Sequence, residues 1–304
     1  MPELPEVETV RRTLEPRLKG RRVLALQTLW PGSFVASKAV KDLLPDCFGS
    51  LQIIKVARRG KVLLLHLTSE SSDPKNNPAA SAPKTDLFMA FHLKMTGQVL
   101  VKPLDAKPDT HTRLIFRLDN ALLFFDDIRK FGYCRLMLPE ELENWSFWQK
   151  LGPEPFDLDG QTFAARFMVP GKAQKSKPGN AQKLKQGKIK NLLLDQTIIA
   201  GVGNIYADEA LFRAGIRPDA SAADLSPAEF ATLHHFVVEV LQEGIKAKGS
   251  SIRNYRDANG QSGGFQDKFK VYGRRGQPCI QCQSLLEHTK LAGRSTVFCM
   301  KCQK

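Results

Sequence analysis

The chain has 304 residues, enough for two domains of ordinary size, each with its own core, rather than one large core. Lys and Arg total 45 against 31 acidic residues, a formal charge of +14, which points to a polyanionic partner, nucleic acid first. No apolar run reaches transmembrane length, no basic amphipathic helix carries an aromatic face, and residues 2–9 hold three glutamates where a signal peptide needs an apolar stretch. The expectation is a soluble cytoplasmic protein with no membrane partner, whose six cysteines need an explanation other than disulfides.

In chain order, residues 4–18 place Leu4, Val7, Val10, Leu14 and Leu18 at helical spacing, with acids early, Arg11, Arg12 and Lys19 late, and Gly20 as a stop. A helix bent at Pro16 is expected. From Arg21 to Leu138 the pattern changes to short apolar runs, among them "LQIIKVA", "KVLLLHLT", "DLFMAFHL", "GQVLVKP", "TRLIFRL" and "ALLFFDD". The turn sequences "RRG", "KMTG" and "DN" predict antiparallel hairpins, and one helix with seven or eight strands predicts a β-sandwich. Residues 69–85 are Ser, Pro, Asn and Ala without periodicity and read as a loop; residues 170–188 are similar but basic and read as a linker or a phosphate-contacting arm. Helical signals follow in "IKNLLLDQTIIAG", "NIYADEALFRAG" and "SPAEFATLHHFVVEVLQEGIKAKG", the last opened by Ser226, Pro227 and Glu229 as a capping box. The Gly-rich "DANGQSGGFQ" predicts a mobile loop ahead of the C-terminal cysteines.

Those cysteines, Cys279, Cys282, Cys299 and Cys302, form two CxxC pairs 16 residues apart. Each CxxC turn presents two thiolates to one ion, and a β-hairpin between the pairs brings them together, so one tetrahedral zinc is expected. Four thiolates fill its shell, which makes the metal structural. Arg294 falls near the turn of that hairpin, while Cys47 and Cys134 read as ordinary buried thiols. In "GVGNIYADE", Gly201 and Gly203 permit backbone N–H groups to converge on an anion, with Asn204 capping the next helix; a bare helix-loop-helix turn explains the same residues equally well. Lys61 and Arg129 sit in strand turns, where solvated charge is the usual account. Met95 and Phe131 are large apolar groups at loop tips, suited to wedging between bases, although Met95 folded back onto the sheet is the simpler alternative. His92 and His111 are each open to a purely structural role.

The first residues pose a separate problem. A helix that opens with Pro5 and Glu6 needs no function, but Pro2 is left unexplained. Removal of Met1 would leave a secondary amine, and an α-amine with a pKa of about 7.7–8.0 is partly unprotonated and nucleophilic at neutral pH. Attack on an aldehyde-like carbon would give a charged iminium, an electron sink beside Glu3.

Taken together, "PELPEVET", "RRGK", "HLKMTG", "DIRKFG", "GVGNIYADEALFRAGIRP" and the four-cysteine tail resemble the bacterial formamidopyrimidine-DNA glycosylase family, in order from Pro2 to the end. The resemblance implies an α+β multidomain fold: an N-terminal catalytic helix and antiparallel β-sandwich (1–140), a hinge (141–190), a helix-two-turn-helix DNA-binding domain with a lesion-covering loop (191–270) and a zinc finger (271–304). It implies excision of oxidised purines such as 8-oxoguanine and formamidopyrimidines from duplex DNA, followed by β,δ-elimination, by a monomer needing no nucleotide cofactor and associated with the bacterial nucleoid. It also assigns roles. Pro2 would be the nucleophile at C1′, Glu3 the general acid/base, Lys61 a phosphate contact and proton donor in β-elimination, and Arg294 a phosphate contact linked to δ-elimination. Met95, Arg129 and Phe131 would fill the gap left by the extruded base, Arg129 reading the orphaned cytosine. Lys190 and Asn204 would hold phosphates, with His111 and Lys185 at further DNA contacts. Lys94 departs from the small residue common at its position.

Two other readings differ at named residues. An endonuclease VIII-like enzyme for oxidised pyrimidines usually opens Pro-Glu-Gly-Pro and lacks the Met, Arg and Phe wedge. A non-enzymatic zinc-ribbon DNA-binding protein explains the charge and the cysteines but leaves Pro2, Glu3 and Lys61 idle.

Overall fold

The computed structural model describes residues 1–69, 85–169, 183–252 and 254–304; most of the two polar insertions, 70–84 and 170–182, lies outside the described residues. The chain divides into two compact units, Met1–Gln149 with Ile245–Gly264, and Lys150–Gly244 with Phe265–Lys304. The segment 245–264, expected with the helical region, therefore clusters with the first unit. Its anchors are on α1 (Leu4–Leu18). Ser250 N–H donates to Glu6 Oε1 at 2.7 Å, the Tyr255 hydroxyl to the Glu6 carbonyl at 3.2 Å, and Ala258 N–H to Thr13 Oγ1 at 3.3 Å.

Helix α1 opens on Glu3, whose backbone is extended and whose N–H donates to Glu6 Oε2 at 2.8 Å. Pro5 in the first turn gives up only an N–H that the helix leaves unpaired anyway. The helix runs through Pro16. The five apolar residues at helical spacing are all fully buried, each worth about 1.5–3 kcal/mol relative to exposure.

The sheet contains β1 (Arg22–Thr28), β2 (Phe34–Ala36), β3 (Leu51–Arg59), β4 (Val62–Ser69), β5 (Asp86–His92), β6 (Gly97–Lys102), β7 (Thr112–Leu118), β8 (Leu122–Asp127) and β9 (Tyr133–Met137). Its order is β2-β9-β5-β4-β3-β1-β7-β8-β6, nine strands in one hydrogen-bonded sheet, antiparallel except for β2 on β9. The expected sandwich is this sheet curled on itself. Phe91 of β5 lies 6.0 Å and 5.6 Å, ring centre to ring centre, from Phe116 of β7 and Phe125 of β8, strands four and five places away in the sheet. Helix α2 (Lys38–Cys47) had no counterpart in the strand pattern; Ser37 caps it, accepting from Val40 N–H at 3.1 Å. After β9, α3 (Pro139–Glu143) and α4 (Ser146–Lys150) cover the outer face of the sheet with Trp145, Phe147 and Trp148.

The second unit holds α5 (Gly160–Ala165), the short pair β10 (Met168–Val169) and β11 (Lys183–Leu184), α6 (Ile189–Leu194), α7 (Asn204–Ala214), α8 (Pro227–Lys246, its last two residues in the first unit) and the hairpin β12 (Glu287–Leu291) with β13 (Arg294–Phe298). The capping box of α8 is present: Glu229 N–H donates to Ser226 Oγ at 3.3 Å and Ser226 N–H to Glu229 Oε2 at 2.8 Å. No described helix is long and apolar enough to cross a membrane.

Candidate nucleic-acid interface and metal centre

In the first unit the N-terminal residues are held, not frayed. Pro2 is buried and Glu3 is 2 % exposed. One turn further, the Glu6 carboxylate accepts the N–H groups of both Glu3 and Ser250, fixing the start of α1 and the 245–264 segment together. On the same helix Glu8 is gripped by Arg11, Arg12 and Arg58, at 2.7–3.2 Å. Burial alone would raise its carboxyl, but the hydrogen bonds of Arg11 and Arg12 and the charge of Arg58 outweigh that and bring it down to about 2. The Arg58 contact ties α1 to the end of β3, next to the turn that carries Lys61.

Lys61, for which solvated charge is the usual account and a phosphate contact the one the resemblance implies, is 6 % exposed. Beside it in charge influence is His92, whose ring burial, together with Lys94 and Lys61, lowers to about 3. The neutral ring accepts Lys94 N–H on Nδ1 at 3.2 Å, so His92 is a packed structural histidine.

Met95, distant in sequence from Arg129 and Phe131, joins them on a neighbouring turn, and all three are exposed, Met95 at 40 % and Phe131 at 55 %. Asp127, 1 % exposed, joins the turns. Its Oδ1 accepts the Thr96 hydroxyl at 2.5 Å and Arg129 N–H at 3.2 Å, and its Oδ2 accepts Gly132 N–H at 2.7 Å. A Cβ at Gly132 would lie 2.8 Å from the Phe125 ring, so only glycine closes this loop. Arg129 stacks on Phe131 at 4.7 Å. His111 is exposed one strand away, its N–H donating to Asp109 Oδ1 at 2.6 Å.

In the second unit, Asn204 does not cap α7. Gly203 is the cap, and Asn204 Nδ2 donates to the Ser295 carbonyl at 2.9 Å. Of the two readings of "GVGNIYADE", the Gly201 N–H fits the bare turn: it donates to Gln196 Oε1 at 2.9 Å. Lys190 is fully buried: its ammonium meets Asp208 Oδ1 at 2.6 Å, Thr296 Oγ1 at 2.7 Å and the Ser295 carbonyl at 3.1 Å. Burial pushes the Asp208 carboxyl up, to about 7, against the pull of Lys190. In this structure Lys190 is a strut between α6, α7 and β13, with no surface to offer a phosphate. Lys185 is half-buried just after β11. Arg294 is exposed at the hairpin tip, where Ala292 and Gly293 both have positive φ, 46° and 74°, as a two-residue turn matching the strand twist requires.

The four cysteine sulfurs lie within 4.8 Å of one another, with Cys279 and Cys302 3.8 Å and Cys282 and Cys299 3.4 Å apart. Zinc–sulfur bonds of about 2.3 Å in a tetrahedron put sulfurs roughly 3.8 Å apart, so the cluster fits that ion. Glu209, fully buried on α7, accepts the N–H groups of Lys270, Val271 and Tyr272 at 2.9–3.1 Å and pins the chain entering the finger. The scaffold carboxylates Glu6, Asp127, Asp208 and Glu209 were not singled out from sequence. The available signal was an acid on the apolar face of a helix or strand, as Asp208 and Glu209 are in "YADEALF".

Three family models match the chain: the formamidopyrimidine-DNA glycosylase N-terminal domain at residues 1–134, its H2TH domain at 151–256, and the zinc finger found in FPG and IleRS at 276–304. The finger match and the four-cysteine geometry agree on one structural zinc. The formamidopyrimidine-DNA glycosylase of Desulfitobacterium hafniense is 40 % identical, and that of Bacillus licheniformis 39 %, each over the full length of both chains. The structure is similar, with a TM-score of 0.80 and 32 % identity over all of both chains, to Lactococcus lactis Fpg solved with DNA containing an abasic site, and equally to that protein with DNA containing N7-benzyl-Fapy-dG. On these matches, which span both units and the finger, the chain belongs to the formamidopyrimidine-DNA glycosylase family.

Proposed function

We propose that this protein is a base-excision-repair DNA glycosylase that removes oxidised purines from duplex DNA and then cleaves the abasic strand. A base inside a duplex hides its glycosidic carbon, so it must be unstacked at a cost of a few kcal/mol. Met95, Arg129 and Phe131 fill the vacated space, and Arg129 reads the orphaned cytosine. Once Met1 is removed, the Pro2 nitrogen attacks C1′ of the damaged nucleoside, the base leaves, and Glu3 passes protons as the sugar ring opens. The resulting iminium acidifies the C2′ proton; its loss expels the 3′ phosphate, and repetition on the 5′ side frees the sugar. Lys61 and Arg294 contact the flanking phosphates and serve these eliminations, with His111, Lys185 and Asn204 as further DNA contacts. Lys190 serves through the position it gives β13. The zinc holds the finger in shape, and no step passes through it.

The observation that carries this reading is the N-terminal Pro2–Glu3 pair, buried at a helix start that Glu6 ties down, where an idle chain end would fray. Borohydride reduction in the presence of DNA with 8-oxoguanine opposite cytosine tests it. A covalent protein–DNA adduct is expected, and a Pro2→Gly variant that traps equally well would overturn the role of proline. Faster processing of thymine glycol than of 8-oxoguanine would move the enzyme to the endonuclease VIII-like class. Binding without any adduct would leave a zinc-ribbon DNA-binding protein.

A further inference from the structure

Beside the turn that carries Arg129 and Phe131 stands a second cation–aromatic pair that the mechanism above does not use. Trp30 is 39 % exposed, and the Lys130 ammonium lies 3.8 Å from the centre of its ring. The pair is built into the scaffold of the wedge turn. Leu29 and Trp30 both donate their N–H groups to the Arg113 carbonyl, at 2.9 and 3.1 Å, and Arg113 Nε in turn donates to the Asp127 carbonyl at 2.8 Å. Arg113 is 6 % exposed. The indole edge rests over Gly32, where a Cβ would come within 3.0 Å of Trp30 Nε1. Lys130 itself holds a left-handed backbone, φ 59°, uncommon for a residue with a side chain. A tryptophan fixed by its backbone, seated on glycine and covered by one long flexible cation is a preformed stacking surface with a movable lid.

We propose that Trp30 and Lys130 form a platform for the DNA strand opposite the lesion, outside the gap that the three wedge residues fill. This rests on the glycosylase reading above. Two arguments select that occupant. The charge is complementary: Arg129 and Lys130 are adjacent, exposed cations, and the acid between the two turns, Asp127, is buried and spent on hydrogen bonds. The platform is also continuous with Arg129, the residue assigned to the orphaned base, so the next surface along the loop meets the nucleotides flanking that base. On binding, the ammonium leaves the ring for a phosphate, and the indole face takes a base or sugar in its place; both exchanges replace a weak surface contact with a stronger one.

The test measures affinity of the full-length, zinc-loaded protein for three duplexes carrying an abasic analogue opposite cytosine. One duplex has an intact opposite strand; the other two have that strand cut short on one side or the other of the cytosine. Trp30→Ala is expected to weaken binding to the intact duplex about tenfold and to match the wild type on one of the shortened duplexes. Trp30→Phe, which keeps a stacking face, is expected to stay within about twofold throughout. Lys130→Met is expected to lower the slope of log affinity against log salt by about one contact. Trp30→Ala binding the intact duplex as the wild type does, or losing equally on all three duplexes, overturns the platform. If the wild type prefers the abasic duplex to an undamaged one while Trp30→Ala behaves as the wild type, the platform alone falls; if the wild type shows no such preference, the glycosylase reading falls with it.

Discussion

The two units display the exposed groups proposed to meet DNA in similar ways but hold them by different physics. In the first, Arg129 and Phe131 sit on a turn organised by one buried carboxylate, Asp127, which accepts two backbone N–H groups and a hydroxyl. In the second, Arg294 sits on a hairpin anchored by a buried ion pair, Lys190 with Asp208, and by the four-cysteine cluster. The first arrangement is a local hydrogen-bonded cage inside a large sheet core. The second couples a small hairpin, with little core of its own, to a metal and to a charge pair. The difference teaches that the finger end should fail in a concerted way, while the wedge end should fail locally.

Zinc removal gives the largest expected separation. Chelation should abolish DNA binding while β-sheet circular dichroism and the melting of the first unit persist; full binding after verified zinc loss would break the comparison. Next comes the ion pair. Lys190→Met leaves the Asp208 carboxylate buried without its partner and should cost about 3–5 kcal/mol in the second unit, whereas Lys190→Met with Asp208→Leu should recover most of that. Recovery of stability with DNA affinity still low and a smaller salt slope would return Lys190 to the phosphate-contact role expected from the resemblance. Asp127→Ala strands the buried Gly132 N–H, frees the Thr96 hydroxyl and leaves Arg129 N–H only Thr96 Oγ1, and should cost about 2 kcal/mol in the first unit. Its DNA affinity should drop while the finger, followed by zinc content, stays intact.

The effect of pH on the first unit is graded. His92 titrates near 6.5 when unfolded and at about 3 when folded, so between those values the unfolded chain binds the extra proton. Stability is therefore complete above 6.5 and falls as pH drops toward 3, and Glu8, lowered from 4.5 to about 2, adds a loss of the same sign below 4.5. Denaturation midpoints measured from pH 7.5 to 4 should fall for the first unit, and His92→Gln should flatten the upper part of that fall; an unchanged slope would contradict the buried neutral ring.

The comparison also explains what could be read from residues alone. Helix α1, the hairpins around "RRG" and "DN", the α8 capping box and the paired cysteines rest on local spacing and turn chemistry, and each is found where expected, whereas "KMTG" closes no hairpin: it joins β5, which pairs with β4 and β9, to β6, which pairs with β8. Helix α2 and the short α3, α4 and α5 were hidden because apolar residues at short spacing serve helix and strand alike. The buried acids were hidden for a different reason. Glu6 answers Ser250, and Glu209 answers Lys270, Val271 and Tyr272, so their partners are backbone groups tens to hundreds of residues away, with no side-chain pattern to betray them. Lys61 read as a turn cation because charge is usually solvated, and Lys190 as a phosphate contact because the resemblance implies one; only the fold shows both inside.

The central claim concerns one nitrogen atom. After borohydride trapping on DNA with 8-oxoguanine opposite cytosine, digestion and mass spectrometry should find the sugar remnant on a peptide that begins at Pro2, with Met1 gone. A remnant on Lys61 or another lysine, or active protein that retains Met1, would contradict the account.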